Sequence, residues 1–278
     1  MDEESRETLL RIKENHSGLT KLYIGNDADD EYEIGSIFIS NLGNDFTTLG
    51  RCIGKNTHLN KLEVNIQSLA NINIPRGFYN GLRRNSTIQT LMLRCIVLGY
   101  VGNEILRAYQ ENSSQLIKLD ILRANIQQNE AEHIALTLRS CTNLKHFNLW
   151  QCNITDQKLV PIVEALLRGR TSLEKLYLND NRIGNTGCQA LATLLSHPNC
   201  NLQVIQISEN NIHNEGAIII ANSVANNTKL MDLCMTGNPI DRCVDGNFYI
   251  CCAIQQVSTA SIHQITHCVV YILTIMVQ

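Results

Sequence analysis

The sequence predicts an α/β repeat fold in which short parallel strands form one layer and helices form the other. An L-x-x-L-x-L pattern returns at a nearly fixed interval through most of the chain. After each copy, the apolar positions change from the alternation of a strand to the spacing of a helix. At 278 residues and 44% hydrophobic content, the chain is long enough to bury a core shared by stacked units.

The strand pattern occurs in eight copies. From Leu59 onward, successive copies start 29, 28, 28, 29, 29 and 28 residues apart. The copies begin at Leu19, Leu59, Ile88, Leu116, Leu144, Leu173, Leu202 and Leu230. The first interval is 40 residues because it contains an acidic insertion at 27–33. We expect this insertion to be a solvated loop rather than a docking site, since runs of like charge repel one another.

A turn follows each strand, and in the later copies it carries an amide or a thiol. Asn or Cys stands three residues beyond the last apolar strand position, at Cys152, Asn181, Asn210 and Asn238. We expect these side chains to bond the turn backbones of adjacent coils, which would otherwise be buried without partners. Ile96 and Ala124 occupy the same position in earlier copies. Their side chains cannot make these hydrogen bonds, so the bonding of the earlier turns is not predicted.

The second half of each unit predicts a helix with one apolar face. Equivalent positions carry Ile134/Ala135/Leu138, Ile162/Val163/Leu166, Leu191/Ala192/Leu195 and Ile220/Ala221/Val224. Gly187 and Gly216 share one phase near the helix start, which predicts a close approach or an unusual backbone angle. At the amino end, residues 7–14 contain Leu9, Leu10 and Ile12 and predict an amphipathic capping helix.

These features divide the chain into an amino-terminal helical cap at 1–18, a repeat domain at 19–257 and an apolar tail at 258–278. No Asp, Glu, Lys or Arg follows Asp245. The tail is interpreted as a terminal strand that shields the last coil, as the product of a misread gene end, or as a membrane anchor. Its apolar run is shorter than the roughly 20 residues that span a bilayer, which argues against the anchor.

The units resemble leucine-rich repeats of the ribonuclease-inhibitor-like class, whose repeats have 28 to 29 residues and a full helix. The cleanest copy is Leu173-x-x-Leu-x-Leu-x-x-Asn181-x-Ile183. The resemblance covers about 19–252. It implies a curved, horseshoe-shaped solenoid with the parallel sheet on the concave face and the helices on the convex face.

Charge and cysteine content exclude several functions. The 23 Lys and Arg against 26 Asp and Glu leave a net charge of −3, which argues against nucleic acid or an anionic membrane as partner. The acidic amino terminus, and eleven cysteines without a CxxC pair, favour a cytoplasmic protein with reduced thiols.

No catalytic residue, cofactor site or metal site is predicted. The segment 50–55 is one residue short of a phosphate-binding loop and lacks its Ser or Thr. The cysteines and histidines at 251, 252, 263, 267 and 268 lack the ligand spacing of structural zinc sites.

The side chains between the buried apolar strand positions predict a protein-binding surface, because they project together from the concave face. We expect Met92, Arg94, Leu122, Arg123, Trp150 and Tyr177 at its centre and Asp180 and Glu209 as an acidic rim. Trp, Tyr and Arg are the types enriched in binding hot spots.

The predicted function is therefore a non-enzymatic module that binds another protein on this face. The alternative is a GTPase-activating protein resembling the Ran GTPase-activating family, which shares the repeat class. A fragment of a larger innate-immunity-type receptor is a third interpretation, which the lack of a nucleotide-binding segment in this sequence disfavours.

Overall fold

A computed structural model describes residues 1–25, 36–40, 42–111, 115–169, 172–225 and 227–240. Within them, nine strands form one parallel sheet in the order β2-β1-β3-β4-β5-β6-β7-β8-β9. The strands are β1 (Lys21–Ile24), β2 (Ser36–Phe38), β3 (Lys61–Asn65), β4 (Thr90–Arg94), β5 (Lys118–Leu122), β6 (His146–Asn148), β7 (Lys175–Tyr177), β8 (Val204–Gln206) and β9 (Asp232–Cys234).

Eight α-helices in these ranges cover the other side of the core, and a short 3-10 helix (Ile66–Leu69) follows β3. The α-helices are α1 (Glu3–Lys13), α2 (Gly43–Ile53), α3 (Arg76–Arg84), α4 (Gly99–Glu111), α5 (Gln128–Ser140), α6 (Asp156–Arg168), α7 (Asn185–Leu195) and α8 (Asn214–Val224). Consecutive helices pack on one another, and the repeated apolar strand residues are buried between helices and sheet. The molecule is a curved solenoid with its sheet on the concave face and its helices on the convex face, as predicted.

The helical apolar positions are confirmed. All twelve predicted residues are buried except Ala192, which is half-buried. The glycines allow the close approach that was expected. A Cβ on Gly187 would lie 2.5 Å from Asp156 Oδ1, and one on Gly216 would lie 2.6 Å from Asn185 Oδ1.

The amide ladder of the later turns is also confirmed. Asn181 Nδ2 donates to the carbonyl oxygens of Leu149 and Leu178 at 2.8 and 2.9 Å. Its Oδ1 accepts the backbone N–H groups of Cys152 and Ile154 at 3.0 and 2.9 Å. Asn210 and Asn238 repeat this pattern in the next two coils. The Cys152 thiol donates to the Ile121 carbonyl at 3.1 Å.

The amino-terminal end differs from the prediction in two ways. First, β2 is an additional strand that pairs with β1 and forms the edge of the sheet, so the long first interval contains a strand as well as the insertion. Phe38 anchors β2 through an edge-on ring contact with Phe46, at 5.5 Å between centroids. The acidic insertion at 27–33 lies outside the described residues.

Second, the capping helix begins at Glu3 rather than at residue 7, because the Asp2 side chain accepts the Ser5 backbone N–H at 2.8 Å. Its buried face contains Ser5, Thr8 and Ile12, whereas Leu10 is half exposed. Ser5 Oγ accepts the Ile39 N–H at 2.8 Å and ties this helix to the chain just after β2. The chain from 241 onward, including the apolar tail, lies outside the described residues.

Candidate protein-binding surface

Strand register places three columns of side chains on the concave face. Because side chains alternate along a strand, the first, third and fifth positions of a five-residue strand share this face. The middle column is Tyr23, Glu63, Met92, Asp120, Asn148, Tyr177, Gln206 and Cys234, as the sequence predicted.

The column that starts the strands was missed by sequence reasoning. We call it the lysine column: Lys21, Lys61, Thr90, Lys118, His146, Lys175, Val204 and Asp232. The signal was present in the residue just before the second leucine of each L-x-x-L-x-L copy. Extending the strand alternation backwards by two residues would have found it.

Two buried carboxylates organise the amino-terminal part of the concave face. Glu63 is 6% exposed and lies 2.8 Å from Arg94 Nε and 3.3 Å from Lys61 Nζ. Asp120 is 1% exposed and lies 3.1 Å from Lys118 Nζ and 3.2 Å from His146 Nε2. A buried carboxylate is tolerated when a cation pairs with it, so these salt bridges hold Lys61, Arg94 and Lys118 in fixed positions.

Aromatic side chains follow on the next strands. The Arg123 guanidinium lies over the Trp150 ring, 5.2 Å from its centroid. The Trp150 backbone N–H donates to Asn148 Oδ1 at 3.0 Å. Tyr177 stacks at 33° on His146, with 4.9 Å between ring centroids.

The Tyr177 hydroxyl remains a neutral hydrogen-bond donor at physiological pH. Burial raises its pKa above the ordinary value, and the carboxylates of Asp232 and Asp120 raise the pKa further.

Beyond the strands, the turns form a rim of residues with left-handed backbone. Arg123, Gln151, Asp180 and Glu209 have φ between 51° and 59°, and Gly237 continues the series at 71°. A left-handed non-glycine residue costs about 1 kcal/mol or more. Polar side chains at these rim positions therefore lower the stability of the protein through backbone strain.

Comparison with known proteins agrees with this architecture. A family described as "Leucine Rich repeat" matches residues 170–192 and 199–221. Mouse "NACHT, LRR and PYD domains-containing protein 12" is 31% identical over 131 residues, which are 46% of this chain and 12% of that protein. Pig "Ribonuclease inhibitor" is 28% identical over 147 residues, which are 52% of this chain and 32% of that protein. The chain is built of leucine-rich repeats and resembles the ribonuclease-inhibitor-like class.

Mouse "NACHT, LRR and PYD domains-containing protein 5" is 29% identical over 168 residues, which are 60% of this chain and 14% of that protein. The chain thus matches between 12% and 32% of the length of these three relatives.

The leucine-rich repeat structure corrects the exposure expected for two of the predicted binding residues. Met92 and Leu122 were expected to face solvent, but they are 7% and 8% exposed. Each lies on a middle strand of the sheet, where neighbouring strands are about 4.8 Å apart and side chains in register cover one another. They form the floor of the concave face rather than its surface.

The other six predicted residues are accessible to different degrees. Arg123, Asp180 and Glu209 are exposed, whereas Arg94, Trp150 and Tyr177 are half-buried. The structure brings Arg123 and Trp150 into contact. The ring partner of Tyr177 is His146 rather than Trp150.

The described part of this leucine-rich repeat protein contains no group of three His, Cys, Asp or Glu side chains placed to hold a metal ion. The cysteines and histidines considered from the sequence lie in the tail, outside the described residues. None of the helices in the described ranges has both the length and the apolar character needed to cross a membrane.

Proposed function

We propose that this chain binds another protein through the concave face of the solenoid and has no catalytic activity of its own. The observation that carries the proposal is the half-buried Trp150 ring under the Arg123 guanidinium. Trp and Arg are enriched among residues whose truncation costs most binding free energy.

The proposed contact surface consists of Arg94, Arg123, Trp150, Tyr177, Asp180 and Glu209, above the floor formed by Met92 and Leu122. Most of these side chains are already held by a salt bridge, a ring contact or a side-chain hydrogen bond. Side chains that are fixed before binding lose less conformational entropy when a partner arrives. Rigidity is therefore the mechanism that we assign to the surface.

The comparisons support a protein partner in general terms. The pig relative is named for the ribonuclease that it inhibits, which is a protein. We expect the partner of the present chain to carry apolar and acidic groups opposite the aromatic and basic centre of the surface. Basic groups of the partner would lie opposite its acidic edge.

The test compares wild type with the double variant Trp150→Ala, Tyr177→Ala. Proteins recovered from native lysate by the wild type are identified by mass spectrometry, purified and titrated against both forms by calorimetry. We expect at least tenfold weaker binding by the variant, about 1.4 kcal/mol. Leu136→Ala, on the convex α5, is the control, because Leu136 is also partly exposed, at 47%, but lies away from the concave face.

An affinity within a factor of about two of wild type would contradict the proposed surface. Stimulated GTP hydrolysis by a recovered small GTPase would favour the alternative GTPase-activating function.

A further inference from the structure

A groove of about 470 Å³ lies on the rim, beside the concave face. Its lining includes Ile96, Arg123, Asn125, Asn153 and Arg182. This volume is in the range that accommodates a small ligand or a few residues of a peptide. The groove reaches beyond the contact surface described above, which shares only Arg123 and Asp180 with it.

The groove carries an excess of positive charge in a chain whose net charge is −3. Arg123 and Arg182 are both exposed, and neither guanidinium forms an ion pair with a residue that the structure describes. Asp180 also lines the groove, and its Oδ2 accepts a hydrogen bond from Gln151 Nε2 at 2.5 Å. The groove lining therefore contains two positive guanidinium groups and one negative carboxylate, and that carboxylate is already hydrogen-bonded.

One wall of the groove is apolar and continues outward along the chain. Ile96 is 63% exposed, and the nearby Val97 and Tyr100 are 49% and 67% exposed. Ile96 stands at the repeat position that Asn181 occupies in its own coil. Single exposed apolar residues are normal, but here three lie within five positions of the chain, and the first of them, Ile96, lines the groove.

We infer that this rim groove binds an acidic peptide segment of a partner protein. In this arrangement carboxylates pair with Arg123 and Arg182, and an apolar side chain packs on Ile96 and Val97. Guanidinium groups bind carboxylates through two parallel hydrogen bonds, which gives both charge and geometric selectivity. The inference rests on the proposed function only in assuming a protein partner, since the groove overlaps the proposed contact surface only at Arg123 and Asp180.

The experiment selects a phage-displayed random peptide library on the full chain. Enriched peptides are resynthesised with a fluorescent label and titrated by anisotropy. We expect them to be rich in Asp and Glu around a large apolar residue, and to bind more weakly as salt is raised.

Arg182→Glu and Ile96→Ser should each weaken binding of these peptides at least tenfold. Both residues are exposed, so circular dichroism and the thermal midpoint should stay close to those of wild type. Arg182→Gln is the milder variant if charge reversal disturbs folding. Arg139→Glu is the matched control, because Arg139 is an exposed arginine of α5 outside the groove.

Failure to enrich acidic peptides, or equal binding to wild type and Arg182→Glu, would overturn the inference. Displacement of the peptide by single-stranded RNA at similar concentration would do the same, because the groove would then recognise anions in general. The double variant Trp150→Ala, Tyr177→Ala separates the two proposals. If it loses its protein partner while the groove binds no peptide, the proposed function stands and this inference fails.

Discussion

The turns that follow the strands differ between the two ends of the solenoid. After β7, β8 and β9, a side-chain amide fills each turn, and the strands have only three residues. After β4, Ile96 takes the amide position and is turned outward, and β3, β4 and β5 each have five residues. In the described turns, left-handed non-glycine rim residues begin only after β5, at Arg123.

This difference shows two ways of satisfying the backbone of a repeat. The later turns add side-chain amides to backbone bonds that continue past their short strands, such as Gln151 N–H to the Asn179 carbonyl at 3.2 Å. The earlier strands are longer, and the turn after β4 has no such amide.

Amides also fill turns at the opposite edge, both in an earlier coil at Asn85 and in a later coil at Asn227, whose Nδ2 donates to the Leu195 carbonyl at 2.9 Å. There Asn85 Nδ2 donates to the carbonyls of Ile53 and Asn56 at 2.8 and 3.1 Å. Where no amide fills the turn, the rim opens beside Ile96.

The largest predicted effect is at the later turns. Asn210→Ala removes donors to the Leu178 and Ile207 carbonyls and the acceptor for the Ile183 N–H. We expect a loss of about 3 kcal/mol in the free energy of unfolding, because several buried groups lose their partner. Urea denaturation measures it. Asn201→Ala, at an exposed asparagine, should cost under about 0.5 kcal/mol.

A smaller loss is predicted at the opposite edge. Asn85→Ala should cost about 1 to 2 kcal/mol, although Asn85 is only 4% exposed. Thr87 Oγ1 donates its single proton to the Leu59 carbonyl at 2.6 Å and lies 3.4 Å from the Asn56 carbonyl, so this edge keeps a side-chain donor in the variant. The same urea experiment applies. A loss equal to that of Asn210→Ala would contradict the proposed difference between the edges.

The repeat architecture was predictable because its period is read directly from the recurring apolar residues. The Asn181 turn was also predictable, since an amide recurs at one repeat position, where it can bond the turn backbones of adjacent coils. The strand β2 was not, because a three-residue strand with one buried side chain, Phe38, has no periodicity to detect.

The candidate surface was only partly predictable. Alternation gives the face on which Met92 and Leu122 lie, but not how far neighbouring strands cover them. Lys61 and Lys118 were overlooked, although the same alternation places them on that face. The stacking of Arg123 on Trp150 depends on side-chain conformation, which sequence spacing does not encode.

Cys152 stands where the two kinds of turn meet, and replacing it should extend the amide ladder by one coil. Cys152→Asn places a stronger donor beside the Ile121 carbonyl, where the thiol now donates at 3.1 Å. We expect a gain of about 1 kcal/mol at pH 7. A loss of stability would show that the coil before Cys152 cannot accept the amide.

This gain should increase with pH. Burial raises the pKa of the Cys152 thiol from 9.0 to about 12. As pH rises above 9, the unfolded chain deprotonates first, so wild-type stability falls between pH 9 and 12. The variant lacks this thiol, and its advantage should grow by about 1.4 kcal/mol at about pH 10. An advantage that does not change with pH would contradict the assigned titration.

The smallest predicted effect concerns the strained rim. Glu209 has φ 51° and is exposed, and the next coil already has Gly237 at the same position. Glu209→Gly should therefore stabilise the protein by about 0.5 to 1 kcal/mol, because glycine adopts this conformation without steric cost. The same change one residue earlier, Ser208→Gly, should destabilise it, since Ser208 is not left-handed. If Glu209→Gly raises stability and weakens partner binding together, the strain is maintained for recognition. If it raises stability alone, Glu209 has no part in the contact surface.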